Sequence, residues 1–260
     1  MEKIVFYLFI FFLLSGCSKS YDGELVFVEP EKGNEFEYPY FLFIPDQVPR
    51  NEKVHVVVEP NNSGFADDDF QKHVEKAERT AVKDFYVGNC IAQKLNSPLI
   101  VPVFPREKTR WRIYTHSLDR DVMMQKGNSL ERMDKQLIGM FEDARTRLEK
   151  KDILTENNFL LTGFSASATF ANRFTLLHPD RVFAVAAGGL NGLLMLPLDS
   201  LHEERLIYPI GTGDIEELTN RKFQEESFRN TPQFYFMGQL DENDAIPYED
   251  AFDQVEREQI

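Results

Sequence analysis

The sequence predicts an α/β fold in which helices cover both faces of a mainly parallel central sheet. Short runs of β-branched and aromatic residues alternate with long amphipathic segments, which is typical of strands joined by helices. The run Val54–Val58 is almost wholly apolar, as expected of a strand that is covered on both faces. A chain of 260 residues is long enough for one such domain with a sizeable core.

Seven segments have the composition of strands. The first two, residues 24–28 and 40–44, are separated by a turn rich in Pro, Gly and Asn, and they are predicted to form an antiparallel edge of the sheet. The other predicted strands are residues 54–58, 99–104, the run that leads from Asn158 to Gly163, 182–187 and 233–237.

Amphipathic spacing predicts the helices between these strands. Residues 71–95 fit a helix that is interrupted near Gly88, and from Leu130 to Leu148 apolar residues recur at three- and four-residue steps. Another helix follows from Ala168 to Leu177. Asp67, Asp68 and Asp69 lack the spacing of a calcium loop, so they are expected to favour the start of the first helix.

The amino terminus has the features of an export signal. The apolar run Ile4–Leu14 follows Lys3 and is too short to span a bilayer, which indicates a signal peptide over residues 1–16. Leu14-Ser15-Gly16-Cys17 resembles the bacterial lipoprotein signal, and this resemblance implies that Cys17 is acylated and anchors the chain to the cell envelope membrane. An ordinary secretory signal that contains a cysteine is the alternative. Residues 17–23 are then a tether, and 24–260 form the folded domain.

Composition excludes some classes of function. The formal net charge of −14 disfavours nucleic acid as a partner, because phosphate binding needs a basic surface. A hydrophobic content of 42% with 13% aromatic residues excludes a disordered chain.

A serine between a predicted strand and a predicted helix is the strongest chemical signal. A sharp strand-to-helix turn presents a serine hydroxyl above the edge of the sheet, and it needs very small residues around that serine. Gly163 lies two residues before Ser165, and Ser167 lies two residues after it, where glycine is usual. The N–H of Ala166, at the start of the helix, is placed to stabilise an oxyanion.

The order of strand, serine turn, helix, strand and Gly-x-x-Asp loop resembles the α/β-hydrolase superfamily. Further segments resemble a secreted bacterial branch that includes esterases and polyhydroxybutyrate-depolymerase-like proteins. These are Pro60-Asn61-Asn62-Ser63-Gly64, Tyr114-Thr115-His116-Ser117-Leu118-Asp119-Arg120-Asp121 and Gly163-Phe164-Ser165-Ala166-Ser167-Ala168. The resemblance extends from about Glu24 to the end of the chain.

The resemblance implies a role for each matching residue. Ser165 is the nucleophile, and Asp241 in Gly238-x-x-Asp241 is the acid that orients a histidine. Asp244 and Asp214 are alternative acids. The oxyanion hole combines the Ala166 N–H with one near Asn62 or Ser63.

The expected histidine is the point at which the sequence departs from this pattern. In the superfamily it follows the acid, but the last histidine here is His202, and the final helix and strand also have no counterpart before Ile260. The sequence therefore indicates a copy that is incomplete at its carboxyl terminus. There are two alternatives to an incomplete copy. The chain is a non-catalytic member, or it takes its base from elsewhere, such as His116. His116, Tyr114 and Trp111 are also candidate substrate contacts.

The predicted function is that of an exported, lipid-anchored serine hydrolase acting on small or polymeric carboxylic esters. It would work through an acyl-enzyme without a metal or organic cofactor. The lack of a histidine after the acid predicts weak or no activity in this form. The alternative is a surface lipoprotein that binds a glycan, a polymer or a protein partner in the same cleft without chemistry.

Overall fold

The computed structural model describes residues 21–60, 65–190, 193–242, 246, 248–249 and 251–260. The predicted signal peptide, Cys17 and most of the tether lie outside these residues. The strands, in chain order, are β1 (Gly23–Val28), β2 (Tyr40–Pro45), β3 (Val54–Val58), β4 (Leu99–Pro102), β5 (Thr155–Phe164), β6 (Val182–Gly188), β7 (Ser200–Leu201), β8 (Glu204–Arg205) and β9 (Gln233–Phe236).

Within the described part, seven strands form one sheet in the order β1-β2-β4-β3-β5-β6-β9, and β7 pairs with β8 in a separate hairpin. β1 and β2 are antiparallel, as are β2 and β4. The pairs β4–β3, β3–β5, β5–β6 and β6–β9 are all parallel. The predicted parallel sheet with an antiparallel edge is therefore confirmed.

The helices are α1 (Phe70–Val82), α2 (Val87–Leu95), α3 (Arg120–Met123), α4 (Met133–Glu149), α5 (Ala166–Leu177), α6 (Ile215–Thr219), α7 (Glu225–Asn230) and α8 (Gln254–Glu258). Asp69 caps α1 by accepting a hydrogen bond from the N–H of Gln71, as its acidic run predicts. No helix in the described part is long and apolar enough to cross a membrane.

The predicted helix break near Gly88 lies instead between Val82 and Val87. The chain leaves the first helix at Lys83, which is extended at φ −100° and ψ 125°, and Gly88 lies inside α2. This glycine is required by close packing, because a Cβ on it would lie 2.5 Å from a carboxylate oxygen of Glu59.

Two apolar layers enclose the sheet. One face packs against α4 and α5, and the predicted helical stripe from Leu130 to Leu148 is buried there. The other face packs against α1 and α2 through alternate strand residues such as Phe43 and Val57. This alternation follows from the two-residue period of a strand, which sends neighbouring side chains to opposite faces.

Candidate active site

Ser165 lies at the junction of β5 and α5, as the sequence predicts. Its backbone has φ 60° and ψ −126°, a conformation that costs a residue with a side chain about 1–3 kcal/mol. The surrounding backbone holds it: the Ser165 N–H donates to the carbonyl of Gly188 at 3.0 Å, and its own carbonyl accepts from the N–H groups of Ala168 and Thr169. The strained residue is half-buried at the tip of the turn.

The small residues around Ser165 are explained by the contact between strand and helix. A Cβ on Gly163 would lie 2.5 Å from the carbonyl atoms of Ser167, so only glycine fits. Ser167 is fully buried, and its hydroxyl accepts from the N–H of Phe164 at 2.8 Å and donates to the carbonyl of Phe164 at 3.0 Å. The serine in the usual glycine position therefore ties the two sides of the turn together.

Ala166 is the first residue of α5. Backbone N–H groups in the first turn of a helix have no carbonyl partner within that helix, and they point beyond its end. The N–H of Ala166 is thus suited to stabilise negative charge beside Ser165. The other predicted donors, Asn62 and Ser63, lie outside the described residues.

Asp241 follows β9 in an exposed turn that is closed by a hydrogen bond from its N–H to the carbonyl of Gly238 at 3.0 Å. Because β5, β6 and β9 are parallel, Ser165 and Asp241 both leave the sheet at its carboxyl edge. Two strand spacings separate β5 from β9, which is about 10 Å. Asp244 lies outside the described residues.

Asp214 does not fit the role of an alternative acid. It is buried, its carboxylate lies 2.7 Å from the guanidinium of Arg120, and it accepts a hydrogen bond from the N–H of Tyr208 at 2.7 Å. These contacts hold the residue before α6 against Arg120 and Tyr208, so the carboxylate is already engaged in the interior. A Gly-x-x-Asp-like sequence alone could not distinguish this structural role.

The chain is similar to known structures at the level of the fold. The chain matches poly(aspartic acid) hydrolase-1 from Sphingomonas sp. KT-1 with a TM-score of 0.56 at 12% identity, over 88% of this chain and 75% of that one. It also matches an S-formylglutathione hydrolase from Agrobacterium tumefaciens, with a TM-score of 0.46 at 13% identity over 92% and 94% of the two chains. No protein-family model matches the chain, and no curated protein matches it in sequence.

Three observations indicate the same fold: the match to the poly(aspartic acid) hydrolase, the order of the strands and the serine turn between β5 and α5. The chain has the α/β-hydrolase fold. At 12% identity the likeness shows the fold alone, so the chemistry must be argued from the residues of this chain.

The α/β-hydrolase fold brings His116 to the same sheet edge as Ser165 but closes it off. The His116 ring is fully buried, and its Nε2 lies 2.7 Å from the carbonyl of Phe104, just beyond β4. Tyr114 is 5% exposed and is covered by the guanidinium of Arg106, 3.4 Å from its ring centre. The expectation that His116 and Tyr114 contact a substrate is therefore corrected: both support the loop from inside. Trp111 is 42% exposed and stays a candidate contact.

Two other histidines are placed away from Ser165 by their contacts. His55 stacks on Phe183, and its Nδ1 lies 3.2 Å from the carbonyl of Asn158, near the amino end of β5. His178, beyond the carboxyl end of α5, lies 2.7 Å from Asp134. His202 is exposed in the turn between β7 and β8. The remaining one, His73, is buried in edge-to-face contact with His116, with ring centres 5.6 Å apart.

Sequence reasoning missed the aromatic surface beside Ser165. Phe164 and Phe236 are exposed at the ends of β5 and β9, with ring centres 6.5 Å apart. The pair Gly188-Gly189 could have pointed to it, since two glycines at a strand end permit close approach of other groups.

A metal site is not formed by the described residues. No group of three or more His, Cys, Asp or Glu side chains among them is arranged to hold an ion. The absence of a cofactor stays a prediction of the sequence.

Proposed function

We propose that this chain is a serine hydrolase that cleaves carboxylic esters through an acyl-enzyme at Ser165. One observation carries the proposal: Ser165 keeps a strained backbone at the tip of a strand-to-helix turn. Strain of this kind persists only where the surroundings over-determine it, and it is concentrated at functional sites. Here Gly163 and Ser167 supply that constraint, because their contact leaves no room for a Cβ on Gly163.

The chemistry follows from the groups around the turn. The Ser165 oxygen attacks the ester carbonyl and its proton passes to a base, while the carbonyl oxygen gains negative charge beside the Ala166 N–H. Collapse of the tetrahedral intermediate expels the alcohol, which takes up the proton, and leaves an acyl-Ser165 ester. Attack by water then releases the acid and restores the serine. Asp241 would orient the base from the same sheet edge.

Labelling with a fluorophosphonate tests the nucleophile directly. We expect the intact, folded chain to be labelled at Ser165, and the Ser165→Ala variant to show no labelling. Ser200→Ala is a matched control, because Ser200 is exposed in β7 and should not affect labelling. A folded chain that shows no labelling and no hydrolysis of short acyl esters would contradict the proposal.

Binding without chemistry is the second candidate. The contacts of His55 and His178 away from Ser165 and the burial of His116 favour it, because a serine without a base loses orders of magnitude in rate. In that case the cleft would bind a glycan, a polymer or a protein partner. The name of the poly(aspartic acid) hydrolase suggests an acidic polymer for that protein, but a chain with a net charge of −14 would repel one.

We also propose that the protein is exported and anchored to the cell envelope membrane through a lipid on Cys17. The support is the apolar run before this residue and the small residues Ser15 and Gly16. In a bacterial host, metabolic labelling with a fatty acid should mark the wild-type protein and not a Cys17→Ser variant. Equal labelling of both proteins would refute the anchor.

A further inference from the structure

Two phenylalanines form an exposed aromatic pair beside the candidate nucleophile. Phe164, Gly188 and Phe236 are in register across β5, β6 and β9. Residues in register on parallel strands project to the same face, so both rings stand on one side of the sheet with a side-chain-free position between them. Phe164 is 47% exposed and Phe236 is 38% exposed.

The glycines of β6 make room for these rings. A Cβ on Gly188 would lie 2.1 Å from the Phe236 ring, and a Cβ on Gly189 would lie 2.9 Å from the Phe164 ring. The rings thus lie directly over backbone. Side chains at these two positions would displace them and remove the apolar surface.

The aromatic pair is connected to Ser165 by the backbone. Phe164 is its neighbour in the chain, and the Ser165 N–H donates to Gly188 at 3.0 Å. The N–H of Gly189 donates to the carbonyl of Phe236 at 2.9 Å. A group bound on the two rings therefore lies beside the turn at which an acyl-enzyme would form.

The chain segments that carry the pair are uncharged. Residues 163–170, 186–190 and 236–240 contain no Asp, Glu, Lys or Arg, and the next residues, Asp241 and Glu242, are acidic. An anionic group would find no cation in these segments and would meet two carboxylates. Leu160, Ala186 and Phe234, on the same face, line an apolar groove.

We propose that Phe164 and Phe236 bind the acyl group of the substrate, and that this group is uncharged and apolar. The proposal rests on the proposed ester hydrolysis at Ser165 and names its substrate class: esters of aliphatic or aromatic acids, not of polyanions. Apolar burial on the rings would supply the affinity, and the acidic residues beyond them would repel acyl groups that carry a negative charge.

Binding to the full-length Ser165→Ala variant tests this without any turnover. Ligand-observed NMR with neutral methyl ketones from 2-pentanone to 2-nonanone should show affinity rising about two- to fourfold per added methylene. Octanoate, of similar length but charged, should bind at least about tenfold more weakly than 2-nonanone, since like charges repel. Oligo-aspartate should not compete.

Variants locate the binding surface. Adding Phe164→Ala or Phe236→Ala should lower the affinity for 2-nonanone about tenfold or more, because each removes an aromatic contact. Phe183→Ala is the matched control: Phe183 is 45% exposed but stacks on His55 near the amino end of β6. Phe164→Lys should weaken ketone binding and strengthen octanoate binding. Circular dichroism checks that each variant is folded.

The outcomes separate this proposal from the proposed function. An affinity independent of chain length, an equal loss in Phe183→Ala, or binding of oligo-aspartate would overturn the apolar acyl surface. Failure of fluorophosphonate labelling at Ser165, with chain-length-dependent ketone binding intact, would instead refute hydrolysis and leave the surface as a binding site for apolar groups.

Discussion

Gly163 and Ser167 touch so closely that a single methyl group on the glycine would lie 2.5 Å from the carbonyl of the serine. This contact packs the end of β5 against the first turn of α5 and holds Ser165 between them at φ 60°. The geometry of the candidate nucleophile therefore depends on a residue that has no chemistry of its own.

Gly163→Ala should unfold the turn or displace α5. We expect a loss of about 3 kcal/mol in the free energy of unfolding, at the upper end of overpacking effects, because the clash is with backbone that cannot move aside. Chemical denaturation measures the loss, and labelling at Ser165 should disappear with it. Gly238→Ala is the control, since its nearest neighbour would be at 3.6 Å and the change should be tolerated. Equal stability of the two variants would refute the packing argument.

Ser165→Gly should stabilise the fold while removing the nucleophile. Glycine adopts positive φ without steric cost, so relief of strain should add about 1 kcal/mol. Ser165→Ala keeps the same strain and should not show this gain. Thermal unfolding of the two variants provides the comparison; a Gly variant no more stable than the Ala variant would mean that the turn is relaxed.

Asp134 is a fully buried acid that pairs with two side chains. Burial by itself raises its pKa, but Arg132 and His178 outweigh burial and hold the pKa of Asp134 well below its usual range. Its carboxylate lies 2.6 Å from Arg132 and 2.7 Å from His178. Asp134→Asn should cost about 3–5 kcal/mol near neutral pH, because the part-buried Arg132 guanidinium loses its carboxylate and the His178 ring loses its hydrogen-bond partner.

The pH dependence provides the check on Asp134. Its folded-state pKa is depressed, so its contribution is present above the unfolded value of about 4 and is lost as the pH falls toward the folded value. The stability gap between wild type and Asp134→Asn should thus persist at pH 7 and shrink below pH of about 4. Asp180→Asn, which alters an exposed pair with Arg221, should show little gap at any pH.

Glu59 should have the opposite pH dependence. Burial raises the pKa of Glu59 to about 7, although the Gly88 N–H and the charge of Lys76 oppose the shift. The folded state binds the proton more tightly than the unfolded state, whose pKa is about 4.3. Stability is therefore unaffected well below that value and falls as the pH rises toward 7.

Glu59→Gln should remove this penalty. The variant should exceed wild type in stability by roughly 1–3 kcal/mol at pH 8 and match it near a pH of about 3.5, below the unfolded pKa. Denaturation at the two pH values measures the difference. The exposed Glu52→Gln variant should show no such pattern, and an equal response of the two variants would argue that Glu59 is not the titrating group.

Local patterns in the sequence were sufficient for the strands, the antiparallel edge and the serine turn, because each depends on a short run of neighbouring residues. The stripe on α4 was likewise predictable from its spacing, and all of its members are buried. The break at Lys83 was misplaced to Gly88, since the reason for that glycine is the side chain of Glu59, which is distant in the chain.

Local sequence patterns could not predict the burial and the partners of individual polar side chains. Asp214 resembled a loop carboxylate, yet Arg120 from another segment pairs with it in the interior. His116 resembled a surface residue at the site, yet the chain folds over it and leaves it fully buried. Burial and partners of this kind are set by contacts between residues far apart in sequence.

The sequence by itself determined that Ser165 stands in a strand-to-helix turn of an α/β fold, because Gly163, Ser165 and Ser167 lie within five residues and the surrounding periodicity is local. Only the tertiary structure decided what lies beside that serine. The register of three parallel strands brings Phe236 to within 6.5 Å of Phe164, although 72 residues separate them in the chain, and the intervening glycine lets their rings share one surface.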